Sequence, residues 1–328
     1  MGMPFNFIWS ERGPGKTYGC IKHVLGHGEK HVLMRRTETE MNTIAIDDLS
    51  PYNPVHRDNS EDPRYGPVTI ARIPKINAAA KVIINDATVG YTLAMATARN
   101  VRGFDLSDVN TVIYDEFIPE PHAPKIREEY NAFLNVIETV GRNREMLGKP
   151  PVTVICTANA NNVANPIFMG MGVVNIAYNM QETGQEIYID RSRGLLLFNS
   201  QRNEIYRNKK AQTALYKFAG ANSNFSDMAL SNKFSGFNGS RIKPRTLIEY
   251  KIIAKIGEIS VYKHKSRPSY YISTKTVGTP KRVYNCGDAD IKHGCSDHYY
   301  LVQAYLNDRV DCEDAASKVI FEKYFKLS

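Results

Sequence analysis

The sequence predicts an α/β protein with a mostly parallel sheet, followed by a small basic α+β region. Three observations carry this. Strand-like and helix-like stretches alternate through residues 1–200; the alternation opens as strand, Gly-rich loop and helix; and the pattern changes to paired short strands from Glu186 onward. At 328 residues the chain has room for about two domains.

Taken in order, the apolar run Phe5 to Trp9 reads as a strand that ends in the turn Ser10 to Gly15, with a helix from Lys16 to Leu25. Further strands are expected at His31 to Met34, Val68 to Ala71, Lys81 to Ile84, Thr111 to Tyr114, Val152 to Thr157 and Val173 to Tyr178. Helices are expected at Ala87 to Val101 and Glu128 to Arg142. Ser50 to Gly66, rich in Pro, Asp and Arg, reads as an excursion off the core. Glu186 to Ile189 and Leu195 to Phe198 read as a strand pair. Residues 220–240 hold 3 Gly, 5 Ser and 4 Asn, the composition of an exposed linker. The expected division is a first domain over 1–205, a linker or lid over 206–240, and a C-terminal domain over 241–328. In that last part, strands are expected at Leu247 to Lys255, Ile259 to His264 and Tyr270 to Thr276, and helices at Ser296 to Leu306 and Asp311 to Phe325.

The charge is uneven. Lys plus Arg number 42 against 34 acids, a net of +8; residues 1–200 carry 20 basic and 22 acidic side chains, residues 201–328 carry 22 and 12. Within 241–282 there are 11 Lys or Arg and two acids, Glu249 and Glu258. Such a segment fits a polyanionic partner. Lys263, Lys265, Arg267 and Lys275, interleaved with Tyr250, Tyr262, Tyr270 and Tyr271, are the candidate nucleic-acid contacts; a merely solvated basic face is the alternative. No base-reading motif accompanies them, so sequence-independent binding is expected. No apolar run approaches the roughly 18 residues of a membrane span, and the signal-peptide pattern is lacking. No membrane association and a cytoplasmic site are therefore expected. The five cysteines are odd in number and the first two sit in segments that read as buried helix and strand, which argues for reduced thiols; the lack of a C-x-x-C pair argues against zinc.

The chemistry concentrates at Gly13-Pro14-Gly15-Lys16-Thr17. A P-loop needs small residues so that backbone N–H groups can curl around phosphates, a Lys for the β- and γ-phosphates, and a hydroxyl for Mg²⁺. Ser10 departs from the pattern by standing where the first Gly is usual. The strand Thr111 to Tyr114 runs into Asp115 and Glu116, placing one carboxylate to hold Mg²⁺ and a second to act as base on water. Asn159, at the end of the strand from Val152, offers an amide to the γ-phosphate side. Arg102, Arg142 and Arg144 are candidates for a finger that stabilises transition-state charge, often from a neighbouring subunit. The bland alternatives are a loop before a helix, a solvated acidic turn and surface ion pairs.

Arg12 to Gly19, Met34 to Glu40, Ala96 to Arg102 and Val112 to Phe117 together resemble the genome-packaging ATPases of small phi-twenty-nine-like podophages. Gly141 to Arg144, Asn159 to Asn161 with Asn165-Pro166, and Ser231 to Phe234 match the same pattern. The resemblance implies a RecA-like P-loop ATPase of the additional-strand, catalytic-glutamate class, with a C-terminal RNase-H-like nuclease fold that has lost its cutting residues. Carried over, Lys16 and Thr17 bind ATP and Mg²⁺, Asp115 holds the metal and Glu116 activates water. Arg102 with Arg142 or Arg144 are the candidates to act in trans. It also implies a homo-oligomeric ring, five subunits in the family, that drives double-stranded DNA through the portal into a procapsid, directly or through a structural RNA. A nonhydrolysing nucleic-acid scaffold with a relic P-loop and a helicase are the competing functions.

Overall fold

The computed structural model describes residues 3–13, 15–73, 76, 79–97, 104–120, 122–200, 204–219, 234, 237–285 and 295–327. They fall into two compact units: Met1–Met171 with Asn179–Gly236, and Gly172–Tyr178 with Phe237–Ser328.

The first unit holds, in chain order, β1 (Phe5–Ser10), α1 (Lys16–Gly26), β2 (His31–Arg35), α2 (Glu38–Ile44), α3 (Asn53–Asp58), β3 (Val68–Arg72), β4 (Ala79–Ile84), β5 (Ala87–Ala94), β6 (Thr111–Asp115), α4 (Glu129–Gly141), β7 (Thr153–Asn159), α5 (Pro166–Met171), α6 (Val174–Thr183, divided between the units), β8 (Ile187–Asp190), β9 (Leu195–Asn199), α7 (Glu204–Ala211) and α8 (Ala214–Ala219). Its nine-stranded sheet has the order β3-β4-β5-β2-β6-β7-β1-β9-β8. From β5 to β9 every pairing is parallel; both edges are closed by antiparallel strands. Parallel strands covered on both faces must be apolar throughout. All five residues of β6 are buried. The order puts β7 between β1 and β6, so the carboxyl ends of these three strands share one edge.

Three expectations are corrected here. Ala87 to Val101 is not a helix: Ala87–Ala94 is strand β5, a hairpin with β4, and 98–101 lie outside the described residues. The hairpin turn is Asn85-Asp86, both at positive φ (49° and 62°), the conformation that Asn and Asp tolerate in tight turns. Val173 to Tyr178 is helical instead of a strand, because its buried positions Val173, Val174, Ala177 and Met180 recur at helical spacing. Ser50 to Gly66 is no excursion: it contains α3 and buries Tyr52, Val55 and Tyr65 in the core beneath α1. The expected linker contributes Phe234, 6% exposed, which stacks on Trp9 at 6.1 Å; 220–233 and 235–236 lie outside the described residues.

The second unit carries β10 (Tyr250–Ile256), β11 (Ile259–His264), β12 (Tyr270–Ser273), β13 (Arg282–Tyr284), α9 (His298–Leu306), β14 (Val310–Cys312) and α10 (Ala315–Phe325). Its five-stranded sheet has the order β13-β10-β11-β12-β14. One face packs Ala254, Val261 and Ile272 against Leu301, Phe321 and Phe325 of the helices; the other gathers Ile252, Tyr262 and Tyr271. The helix expected from Asp311 starts later, at Ala315, because Asp311 is in β14 and Asp314 with Ser317 forms a capping box. The strand expected from Leu247 likewise starts at Tyr250, after a single 3-10 turn.

One core residue makes stability depend on pH. His31 is fully buried, with Nε2 2.7 Å from the Tyr52 hydroxyl, and burial pushes its imidazole down from 6.5 to about 4. The unfolded chain therefore binds the proton first. The stabilisation is complete above pH 6.5 and is lost as pH falls toward 4. Between pH 7.5 and 5 the loss expected from this group is roughly 2 kcal/mol. Urea melts at the two pH values should show a drop in wild type that His31→Gln lacks; equal drops would exclude His31 as the source.

Candidate functional site

The loop between β1 and α1 is shaped by two glycines, Gly13 (φ 83°) and Gly15 (φ 81°), in the left-handed region that side chains disfavour. Gly15 is the N-cap of α1 and brings no side chain to bond the first N–H groups of the helix. The first turn contains no acid either, so no carboxylate of that turn offsets the positive end of the helix dipole, which suits an anion. Pro14 lies outside the described residues.

Lys16 donates from Nζ to Ser10 Oγ (2.9 Å), to the Glu11 carbonyl (3.0 Å) and to Asn159 Oδ1 (3.1 Å). Ser10 is fully buried at the end of β1, and its own hydroxyl donates to the Glu11 carbonyl at 3.0 Å. The departure from the glycine pattern thus has a use: Ser10 supplies an acceptor for the lysine, while Gly13 and Gly15 supply the curvature.

From the neighbouring strand, Asp115 is 2% exposed and accepts hydrogen bonds from Thr17 Oγ1 (2.8 Å) and Thr157 Oγ1 (2.5 Å), one on each carboxylate oxygen. Glu116 follows in a left-handed conformation (φ 60°), which ends the strand and leaves its side chain half exposed. A non-glycine residue held there is a feature of functional sites. Both carboxylates are bridged by Arg35, with Nη2 2.8 Å from Asp115 Oδ2 and Nη1 2.7 Å from Glu116 Oε2. Arg35 escaped the reading of the sequence. Its signal is positional: it is the last residue of β2, which pairs with β6 in parallel, so the two strands deliver their final side chains together.

Gly13, Gly15, Lys16, Thr17, Asp115, Glu116 and Asn159 line one cavity of about 470 Å³ with Arg12, Tyr18 and Glu120. Arg12 pairs with Glu120 across its mouth, and Lys210 of α7 donates to the Arg12 carbonyl. The paired oxygens of Thr17 and Asp115 are of the kind Mg²⁺ takes, and a two-residue set suits an ion that keeps most of its ligands from phosphate and water.

The arginine candidates are placed elsewhere. Arg102 lies outside the described residues. Arg144 donates to the carbonyls of Val109 (2.5 Å) and Pro150 (2.8 Å) and to Asn110 Oδ1, at the amino-terminal ends of β6 and β7. That is roughly 13 Å of strand from Asp115. Arg142 is exposed at the end of α4 and donates to the Phe104 carbonyl at 2.6 Å. Neither reaches the carboxylates of its own chain.

In the second unit the four basic candidates separate. Lys263 and Arg267 are exposed at one end of the sheet, where Lys265 Nζ donates to the Ile248 carbonyl at 2.7 Å. Lys275 follows the opposite end of β12 and pairs with Glu313 at 2.5 Å. Tyr262 and Tyr271 are 1% and 2% exposed, so they build the core instead of offering stacking surfaces.

A family model described as Podovirus DNA encapsidation protein (Gp16) matches residues 3–311. The chain is similar to the DNA packaging protein of Bacillus phage phi29, 24% identical over 316 residues that cover 92% of this chain and 83% of that protein. It is similar to the DNA packaging protein of Bacillus phage B103, 22% identical over 343 residues that cover 98% and 96%. Among solved structures, the bacteriophage Phi-29 viral genome packaging motor assembly superposes with a TM-score of 0.68 at 18% identity, covering 99% of this chain and 95% of that one. The Phi-28 gp11 DNA packaging motor gives 0.62 at 16% identity, covering 100% and 96%. At these identities the structural likeness concerns the fold.

Proposed function

Since the chain belongs to the podovirus DNA encapsidation (Gp16) family, we propose that it is the ATP-hydrolysing subunit of a motor that moves double-stranded DNA into a procapsid. One observation carries the proposal: Lys16, Thr17, Asp115, Glu116 and Asn159 converge on a single cavity at the carboxyl ends of β1, β6 and β7. In a parallel sheet that edge is where ligands bind. The strand order supports an additional-strand, RecA-like P-loop domain, and the mixed sheet with two helices on one face is compatible with an RNase-H-like C-terminal unit.

The loop N–H groups and the α1 terminus hold the phosphates, and Lys16 turns from Ser10, Glu11 and Asn159 toward the terminal one. Thr17 and Asp115 would hold Mg²⁺, which when bound would supply charge neutralisation at the phosphates. Thr157 fixes the Asp115 carboxylate. Glu116 takes a proton from the attacking water. Its Oε2 is engaged by Arg35, so it meets that water with Oε1 or after rotating off the guanidinium. Arg142, exposed beside Met146 (84%) and Leu147 (73%), is the arginine a neighbouring subunit can receive; Arg144 is bound into its own chain. This division supports a ring in which one subunit's arginine completes the next subunit's site, working at the portal in the host cytoplasm.

The test is turnover with and without duplex DNA. Mg²⁺-dependent ATP hydrolysis that rises severalfold with linear duplex, and no strand separation on a forked duplex, is expected. Absence of hydrolysis would favour the scaffold, and unwinding would favour a helicase.

A further inference from the structure

In the antiparallel pairing of β10 with β11, Lys251 stands directly opposite Lys263. Both are exposed, and neither forms an ion pair among the described residues. Like charges placed opposite each other on a sheet are unfavourable unless something anionic lies against them. The carboxylates at this end of the sheet, Glu249, Asp308 and Asp311, each already face a partner other than these lysines. Asp311 takes Lys243 (3.4 Å) and Arg245 (2.9 Å), Asp308 takes Arg241 (2.6 Å), and Glu249 lies 3.6 Å from His264 Nε2.

One residue farther along the same strands, the sheet end opens into a cleft of about 600 Å³. Arg267, from the loop after β11, and Arg309, from the residue before β14, line it, and neither forms an ion pair among the described residues. The loop that presents Arg267 is fixed from below. Buried His264 accepts at Nδ1 from the Ser266 N–H (3.1 Å) and the Arg267 N–H (3.2 Å). Arg309 is held beside β12 by the Tyr270 N–H donating to its carbonyl at 2.8 Å. Guanidinium forks on a fixed loop suit phosphate oxygens. The lining includes no Asn or Gln, the side chains that read adenine edges.

We infer that this end of the C-terminal sheet is a phosphodiester-binding site, with a backbone phosphate seated between Arg267 and Arg309 and the flanking phosphates on Lys263 and Lys251. It rests on the packaging reading and deepens it, because it names which surface of the second unit meets nucleic acid and removes Lys275 from that surface.

The experiment uses the full-length protein. Anisotropy titrations over a salt series would compare wild type with Arg267→Ala/Arg309→Ala and with Lys251→Ala/Lys263→Ala, on a labelled DNA duplex and on a folded RNA hairpin of equal phosphate number. Each double variant removes two phosphate contacts, so the slope of log affinity against log salt should flatten by about 2. Affinity should fall at least tenfold at low salt, while ATP turnover without nucleic acid stays at the wild-type level. Arg267→Lys/Arg309→Lys should restore most of the slope, which separates lost charge from a loop that no longer folds. Equal losses on both nucleic acids support a backbone site shared by both. A loss on one alone supports the site and names its source. Unchanged slopes in both variants overturn the inference, and duplex-stimulated turnover in that same preparation would leave the packaging reading standing. Wild-type slopes combined with lost capture by procapsids would also overturn it, in favour of a protein partner.

Discussion

Glu116→Gln should lower ATP turnover by a factor of about 10² to 10⁴ while ATP binding stays within about twofold of wild type. The geometry separates the two effects. On the proposed reading, binding rests on the loop, Lys16 and the Thr17–Asp115 pair, with Lys16 and Thr17 donating among the described residues to Ser10, Glu11, Asn159 and Asp115. The amide keeps the length and shape of the acid, and its carbonyl oxygen still accepts from Arg35 Nη1, which sits 2.7 Å from Glu116 Oε2. It also tolerates the backbone no worse than glutamate does at φ 60°. What it loses is the ability to accept a proton. Single-turnover hydrolysis with a parallel nucleotide-binding titration measures both quantities. Wild-type turnover would remove Glu116 from the role of base; a loss of binding equal to the loss of turnover would make it a structural residue. Lys16→Ala supplies the contrast, because there binding should fall as well.

The sequence made the core of this site legible because backbone form and chemistry coincide there. Gly13 and Gly15 are needed where the chain turns left-handed, and Lys16 and Thr17 follow at the only positions from which a helix start can present them. Asp115 and Glu116 announce themselves as two acids ending an apolar strand. Arg35 was not legible, because nothing local tells which strand lies beside β6; that is settled by the sheet order. The same reason hid β5. A stretch with Ala, Leu and Met reads as helix until Asn85-Asp86 is recognised as a hairpin turn and β2 is found on its other side. Composition misled between Ser50 and Gly66, where three aromatic or aliphatic anchors inside a polar stretch decide its place. In the second unit, net charge was visible but its cancellation was not. Pairings such as Lys275 with Glu313 and Arg245 with Asp311, against facing lysines of β10 and β11 that form no ion pair among the described residues, divide structural cations from available ones.

The largest stability effect is expected from Arg36→Met, at about 3–5 kcal/mol. Arg36 and Glu129 are each 2% exposed and meet in a bidentate pair, Nε to Oε1 at 3.0 Å and Nη2 to Oε2 at 2.8 Å. Tyr114 adds a hydrogen bond to Oε1 at 2.9 Å, and Arg36 reaches the Pro124 carbonyl at 3.3 Å. Such a pair gains little over a hydrophobic replacement of both partners, because removing two charges from water offsets their attraction. Removing one partner is different in kind. Methionine fills much of the volume but leaves the Glu129 carboxylate buried with a single hydroxyl donor, so the chain must protonate it or open. Arg36→Met/Glu129→Leu, which leaves no buried charge, should recover at least half of the loss in urea melts. The consequence reaches the site through the chain: Arg36 follows the residue that bridges Asp115 and Glu116, Tyr114 precedes Asp115, and Glu129 begins the helix that ends at Arg142. The single variant should therefore lose turnover at temperatures where it is still folded, and the double variant should regain stability more fully than turnover. A cost below about 1 kcal/mol for Arg36→Met would mean that water reaches the pair, and the anchoring of α4 would then have to lie in its apolar face, Phe133, Val136 and Val140.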